Sequence, residues 1–377
     1  MKSIKILMLA SIIAGLTETS GYGAKRQASD ETHEGAASAV GLGENVMEAP
    51  PEKKQKEAAA ESQNVSVRLE VDQTGWNDLH KAAYNGNLDS IRMLVAGGGI
   101  DVNTLVNNPG CFIHGRTALH IAAELGQVDV VRFLIQELPE SLRVNPNITI
   151  NNPGNSWHGW TALHLAAGNG KVDVVRFLIQ EVGVNPNITI NNPGNPWHGR
   201  TALHIAAELG QVDVVRFLIQ ELPESLRVNP NITINNPGNS WHGRTALHIA
   251  AGNGKVDVVR FLIQELPESL RVNPNITINN PGTKLHGWTA LHIAAGYGKV
   301  DVVRFLIQEL PENLRVNPNI TINNPGTKLH GWTALHIDAA NGNVDVVRFL
   351  IQELPESLRV NPNITINNPG TQWHGST

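Results

Sequence analysis

The tetrapeptide Thr-Ala-Leu-His opens six near-identical segments, with its threonine at Thr117, Thr161, Thr201, Thr245, Thr289 and Thr333. Successive copies lie 44, 40, 44, 44 and 44 residues apart, and a weaker copy, Asn77-Asp78-Leu79-His80, stands 40 residues before the first. A fixed period in this range marks a tandem array. It overrides the prior of two or three domains for 377 residues. A solenoid grows by adding units that touch only their neighbours, so no central core limits its length. The repetition also narrows function. An active site is normally one constellation, whereas nearly every polar residue here occurs several times.

The segment from His114 to Trp157 shows what one unit contains. Thr117 is placed to cap a helix, its hydroxyl accepting from an amide of the first turn. Ala118, Leu119, Ile121, Ala122 and Ala123 form a short helix with a small-residue face, and Gly126 ends it through a left-handed stop. Val128 to Glu137 reads as a second helix, with Asp129 in its first turn where the helix dipole favours negative charge. Val130, Val131, Leu134 and one of Phe133 or Ile135 form its buried stripe. Pro139 cannot continue it. Two helices this short are marginal alone, so each pair needs neighbours.

Gly-Arg-Thr-Ala-Leu-His-Ile-Ala-Ala-Glu-Leu-Gly (115–126), followed by Val-Asp-Val-Val-Arg-Phe-Leu-Ile, resembles the ankyrin repeat. The resemblance covers residues 74 to 377 in about seven units, approximately 76–116, 117–160, 161–200, 201–244, 245–288, 289–332 and 333–376. Ala118 departs from the proline usual at its position in that family. The resemblance implies an all-α repeat solenoid of helix-turn-helix units, protein binding on its concave face and loop tips, and no catalysis. It also implies a structural, hydrogen-bonding role for the motif histidines His80, His120, His164, His204, His248, His292 and His336.

The family's unit is about 33 residues long. Here four of the extra residues fall after the second helix. The 40-residue copy reads Gln180-Glu181-Val182-Gly183-Val184 where its neighbour inserts Pro139 to Leu142. An extra turn opened by Pro139 is expected there. The remainder lies in Pro146 to Gly159. Ile148-Thr149-Ile150 alternates like a strand, Asn152-Pro153-Gly154 is a turn signal, and Asn155-Ser156-Trp157 reads as the returning strand. Extended β-hairpin fingers are therefore expected, able to pair edge to edge between units.

The copies differ in two places: the inter-helix turn (Glu124-Leu125-Gly126-Gln127 against Gly168-Asn169-Gly170-Lys171) and the finger. Exposed Trp and Arg are favoured interface anchors, so the expected contact surface is Trp157, Trp160, Trp197, Arg200, Trp241, Arg244, Trp288 and Trp332. Neutral drift after duplication is the competing explanation. A second histidine column, His114, His158, His198, His242, His286, His330 and His374, reads as turn-stabilising, since a metal site needs convergent ligands. Neither metal nor cofactor is expected. Asn147, Asn187, Asn231, Asn275, Asn319 and Asn363 each begin Asn-Ile-Thr, an acceptor pattern for N-linked glycans or a strand sequence that copies with the repeat. Asp338 replaces an alanine of the last unit, and its carboxylate is costly there unless it reaches solvent.

Lys2 and Lys5 precede an apolar run from Ile6 to Leu16, too short to span a bilayer and suited to a signal peptide over 1–24. Residues 25–73 are rich in Ala, Glu, Ser and Gly and read as a disordered linker. Export, to the periplasm or outside the cell, is therefore expected, with no membrane span in the mature chain. A net charge of −5 argues against nucleic-acid binding. The single cysteine, Cys111, allows no intrachain disulfide. These features point to a secreted, non-enzymatic scaffold for another protein, with an effector role on a host protein implied by resemblance to exported ankyrin proteins of host-associated bacteria. The alternative is an adhesive surface element whose fingers bind glycans or self-associate.

Overall fold

A computed structural model describes residues 75–109, 111, 113–369, 371, 374 and 375. The segments read as signal peptide and linker, 1–24 and 25–73, lie outside the described residues. Seven consecutive helix pairs follow. They are α1 (Asp78–Asn85) with α2 (Leu88–Ala96), α3 (Ala118–Leu125) with α4 (Val128–Arg132), α5 (Ala162–Gly168) with α6 (Val172–Arg176), α7 (Ala202–Leu209) with α8 (Val212–Arg216), α9 (Ala246–Gly252) with α10 (Val256–Arg260), α11 (Ala290–Gly296) with α12 (Val300–Arg304), and α13 (Ala334–Asn341) with α14 (Val344–Arg348). From the second pair onward, the second helix runs on through a wider π turn. In α4 this covers Phe133–Glu137 and is closed by the Leu138 amide donating to the Phe133 carbonyl at 3.2 Å.

First helices pack against first helices of the neighbouring units. The alanine face makes this approach close: Ala118, Ala122 and Ala123 are fully buried, as are their counterparts Ala202, Ala206 and Ala207. Gly126, at φ 82°, stops α3 as expected. Leu119, Val130, Val131 and Leu134, with Phe133 and Ile135, join one apolar core that continues from Leu79 to Val360. Phe133 and Ile135 are both buried, because the π turn brings both inward. Where Pro139 opens four extra residues, a single 3-10 turn forms at Glu140–Leu142. The Val144 amide then returns to the Leu134 carbonyl at 2.9 Å, as Val184 returns to Leu178 at 2.9 Å in the shorter unit. The insertion thus protrudes without shifting the frame.

The finger expectation is corrected. No strand forms among the described residues; an isolated antiparallel bridge joins Thr149 and Thr161. The loop base is closed by two backbone bonds, Ile150 N–H to the Trp160 carbonyl (2.8 Å) and Gly159 N–H to the Ile150 carbonyl (3.0 Å). Between them the chain coils through three tight turns, with Asn155, His158 and Trp160 donating to Asn152, Asn155 and Trp157. The cause is local. Asn155 Oδ1 accepts from the Trp157 amide at 2.9 Å, and His158 Nδ1 accepts from the Asn152 amide at 3.2 Å. The amides a returning strand would offer are consumed inside the loop.

Edge-to-edge pairing is replaced by an asparagine ladder. Asn192, Asn236 and Asn280 each donate a side-chain amide to the Asn155, Asn195 and Asn239 carbonyls of the preceding loop, at 3.0, 3.2 and 3.0 Å. Loops pack so tightly that a Cβ on Gly159 would lie 2.4 Å from the Asn191 carbonyl oxygen. That contact, with φ 82°, requires glycine.

The last unit brings a second correction. Asp338 does not reach solvent: it is fully buried, with one oxygen accepting from Asn343 at 3.1 Å and Oδ2 without a partner among the described residues. Burial pushes its carboxyl up to about 7, against the opposing pull of the Asn343 hydrogen bond.

Candidate functional site

The motif histidines bind loop to helix. In the second unit the Thr117 amide donates to His120 Nδ1 at 3.1 Å, so that nitrogen carries no proton. The threonine hydroxyl, 3.0 Å away, therefore also donates to it, and Thr117 and His120 together close a capping box at the start of α3, the capping role expected of the threonine. Nε2 carries the hydrogen and donates to the Ile148 carbonyl at 3.0 Å. His164, His204, His248, His292 and His336 repeat this geometry, donating to Ile188, Ile232, Ile276, Ile320 and Ile364. In the first unit Asn77 replaces the threonine, and His80 donates to Thr104. Burial holds the imidazoles neutral: it lowers His164, His248 and His292 to about 4. His120 and His204 fall to about 3, where Arg116 and Arg200 add repulsion to burial.

The second histidine column stabilises turns, Nδ1 of His158, His198 and His242 accepting from Asn152, Asn192 and Asn236. Among the described residues no group of three His, Cys, Asp or Glu is arranged to hold a metal. No described helix is long and apolar enough to cross a membrane.

The expected contact residues separate into two sets. Trp160, Arg200, Trp241, Arg244 and Trp288 are no more than 5% exposed, so they are corrected from surface anchors to internal side chains. They occupy a seam between loop base and first helix, where apolar and guanidinium faces stack. Trp160 meets Trp197 of the next unit at 5.1 Å, and Arg200 lies between the Trp197 and Trp241 rings at 4.2 and 4.1 Å. Trp157, Trp197 and Trp332 stay half-buried, each with part of its surface open.

Charge along the seam is matched between the residue after His-Gly and the helix that follows it. Arg116, 1% exposed, pairs with Glu124 and lies 5.1 Å over the Trp157 ring; Arg200 pairs with Glu208. Arg116, Glu124 and Glu208 were not among the expected site residues. The signal for them was present: glutamate occurs at that helix position only in units with arginine eight residues earlier. Through Arg116, the two places where the copies vary become one surface, since this residue touches both the inter-helix end (Glu124) and the finger (Trp157). Leu125, next to Glu124, is exposed, and so is Tyr297 at the corresponding turn position of a later unit.

A second ladder runs along the second helices. Arg176, Arg216, Arg260 and Arg304 each pair with a glutamate of the following unit, Glu221, Glu265, Glu309 and Glu353, at 3.0 to 3.1 Å. Each also stacks on the following unit's phenylalanine, as Arg216 does on Phe261 at 4.5 Å. The arginine column thus ties each unit to the next while staying partly exposed.

A family model of ankyrin repeats in three copies matches residues 55–148, 140–233, 224–322 and 268–365, most of the chain. The chain belongs to the ankyrin-repeat family. The crystal structure of the human ASB11 ankyrin repeat domain is similar to it at 21% identity, with a TM-score of 0.47, covering 72% of this chain and 98% of that one. No curated protein matches the sequence. Ankyrin repeats are generally protein–protein interaction scaffolds and typically lack enzymatic activity.

Proposed function

We propose that this ankyrin array is exported and binds another protein through the seam of finger bases and inter-helix turns, without catalysis. One observation carries the choice of surface: variation split between two places in sequence is joined in space through Arg116, which contacts Glu124 and Trp157. The helix faces, by contrast, are spent on stacking. Half-buried Trp157 and Trp197, with exposed Leu125 and Tyr297, supply apolar area of the kind that anchors interfaces. Export is supported by Lys2, Lys5 and the apolar run that follows them. Action on a host protein is the use this reading favours for an exported scaffold.

Affinity capture with the full chain tests the surface, with Leu125→Ser/Trp157→Ala as the comparison. The expected result is one stoichiometric protein partner, lost in the variant while its thermal melt is retained. Capture unchanged by the double substitution would remove the seam from the interface. Sugar-array binding with no captured protein would favour the adhesive reading.

A further inference from the structure

The residue after His-Gly and the residue eight positions later keep to two pairings. Arg116 joins Glu124 and Arg200 joins Glu208, both as ion pairs. Aromatic units set Trp160 with Gly168, Trp288 with Gly296 and Trp332 with Ala340, while Trp76 meets Tyr84 ring to ring at 5.4 Å. One unit mixes the two. Arg244 stands with Gly252.

Arg244 is only 2% exposed, and its guanidinium lies 4.1 Å over the Trp241 ring. Its Nε has no hydrogen-bond partner, and no carboxylate pairs with it among the described residues. Glu208, its counterpart one unit back, is held by Arg200. A guanidinium cannot shed its charge. Leaving one buried and unpaired is strongly destabilising, and a carboxylate in its plane relieves this through two parallel hydrogen bonds. The helix position that carries Glu124 and Glu208 in the other two arginine-bearing units is here Gly252. Gly252 is partly open to solvent, where Glu208 in the corresponding position is 5% exposed. A Cβ on Gly252 would lie 3.0 Å from Ile293 and 3.4 Å from the Tyr297 ring. Tyr297, 38% exposed, thus forms the outer wall.

We infer that Arg244 is the receptor for a carboxylate supplied by the bound protein. An Asp or Glu side chain enters beside Tyr297 and takes the place that Glu124 and Glu208 fill from within. A carboxylate is the group chosen because the same seam, twice, is built around one. This site rests on the protein-binding reading above and names the chemistry the partner must bring: an acidic side chain presented among apolar neighbours.

The full chain, labelled with 15N-arginine, provides the test. The Arg244 Nε–H resonance is assigned by its loss in Arg244→Lys. The probes are acetyl-Gly-Glu-Gly-amide, its Gln counterpart and inorganic phosphate. The Glu peptide is expected to shift that resonance saturably, while the Gln peptide binds roughly tenfold or more weakly. Gly252→Glu/Tyr297→Asn rebuilds the Glu208/Asn253 arrangement of the preceding unit from within, and should abolish the shift with the fold retained. Should that variant not fold, Arg244→Gln is read instead, by loss of the peptide-induced change in thermal midpoint. Absence of a saturable shift, a shift that persists in the variants, or phosphate binding more tightly than the Glu peptide would each overturn the assignment. The titration needs no natural partner, so it can fail while affinity capture succeeds, or succeed while capture fails.

Discussion

The fourth unit, with α7 and α8, and the last, with α13 and α14, carry almost the same helical residues yet bury them differently. Ala207, Val215 and Ile219 are fully buried; their counterparts Ala339, Val347 and Ile351 are exposed or half-buried. Arg216 reaches Glu265 of the next unit at 3.0 Å, whereas Arg348 turns back to its own Asp345 at 3.1 Å. The residues define a stacking face, and a neighbour converts that face into buried area. In a chain of this kind a residue's worth depends on its place in the array as much as on its identity.

The largest expected separation between interior and end is in acid. The interior histidines are neutral when folded, with His204 held at about 3 and His248 at about 4, below the ordinary value of 6.5. The unfolded chain binds more protons as pH falls below 6.5, so the stability these groups contribute is complete above that value and is lost toward pH 3 to 4. Each unit of displacement is about 1.4 kcal/mol, so several kcal/mol per interior histidine are at stake. Urea midpoints should fall steeply between pH 6.5 and 4 and recover on neutralisation, with His204→Asn flattening the slope more than His336→Asn. A midpoint that does not move over that range would break the comparison.

Next in size is core truncation. Leu203→Ala removes a fully buried side chain and should cost about 2–5 kcal/mol. Leu335→Ala, at an 8% exposed position with one described neighbour unit, should cost less and affect chiefly the last pair. Hydrogen exchange resolves this: the first variant should loosen several units, the second only α13 and α14. Equal, array-wide loosening would mean the end is not a distinct region.

What could be read from the sequence follows the same division between local and neighbour-dependent physics. The period, helix pairs, Gly126 stop and apolar stripe were legible, because spacing within one unit determines them. The loop was misread because alternation in Ile148-Thr149-Ile150 reports only a buried side, here Ile150, and not where the amides go. His158 and Asn155 take them. The seam was misread for a related reason. Trp241 and Arg200 look like surface anchors in their own units, but each is covered by the other across the unit boundary. Asp338 was legible as anomalous, but its full burial and its bond to Asn343 were not.

A smaller effect is expected from Asp338→Ala, and it bears only on the end. The folded carboxyl titrates at about 7, above its ordinary 3.8, so the folded state holds a proton the unfolded chain has released. Stability of the last pair therefore falls as pH rises from about 4 to 7, opposite in sign to the histidine effect. Restoring alanine should stabilise that pair by about 1–3 kcal/mol above pH 7, and by less at pH 4. The readout is exchange protection in α13 at both pH values. A gain equal at both would show that lost packing, rather than charge, is the penalty.

The smallest effect is expected from the arginine ladder, and it sharpens the comparison most finely. Arg216→Ala removes a partly exposed pair with Glu265 together with the stack on Phe261. Pairs this open contribute about 0.2–1 kcal/mol and weaken with salt, whereas the cation–π part does not depend on a carboxylate. Glu265→Gln should thus recover only part of the Arg216→Ala loss, and the difference between them should shrink in high salt. Arg348→Ala, whose only partner among the described residues is a neighbour on its own helix, should change stability less than either. If Arg348→Ala proved as costly as Arg216→Ala, the ladder's contribution would lie within units, and stacking would rest on the alanine and phenylalanine faces alone.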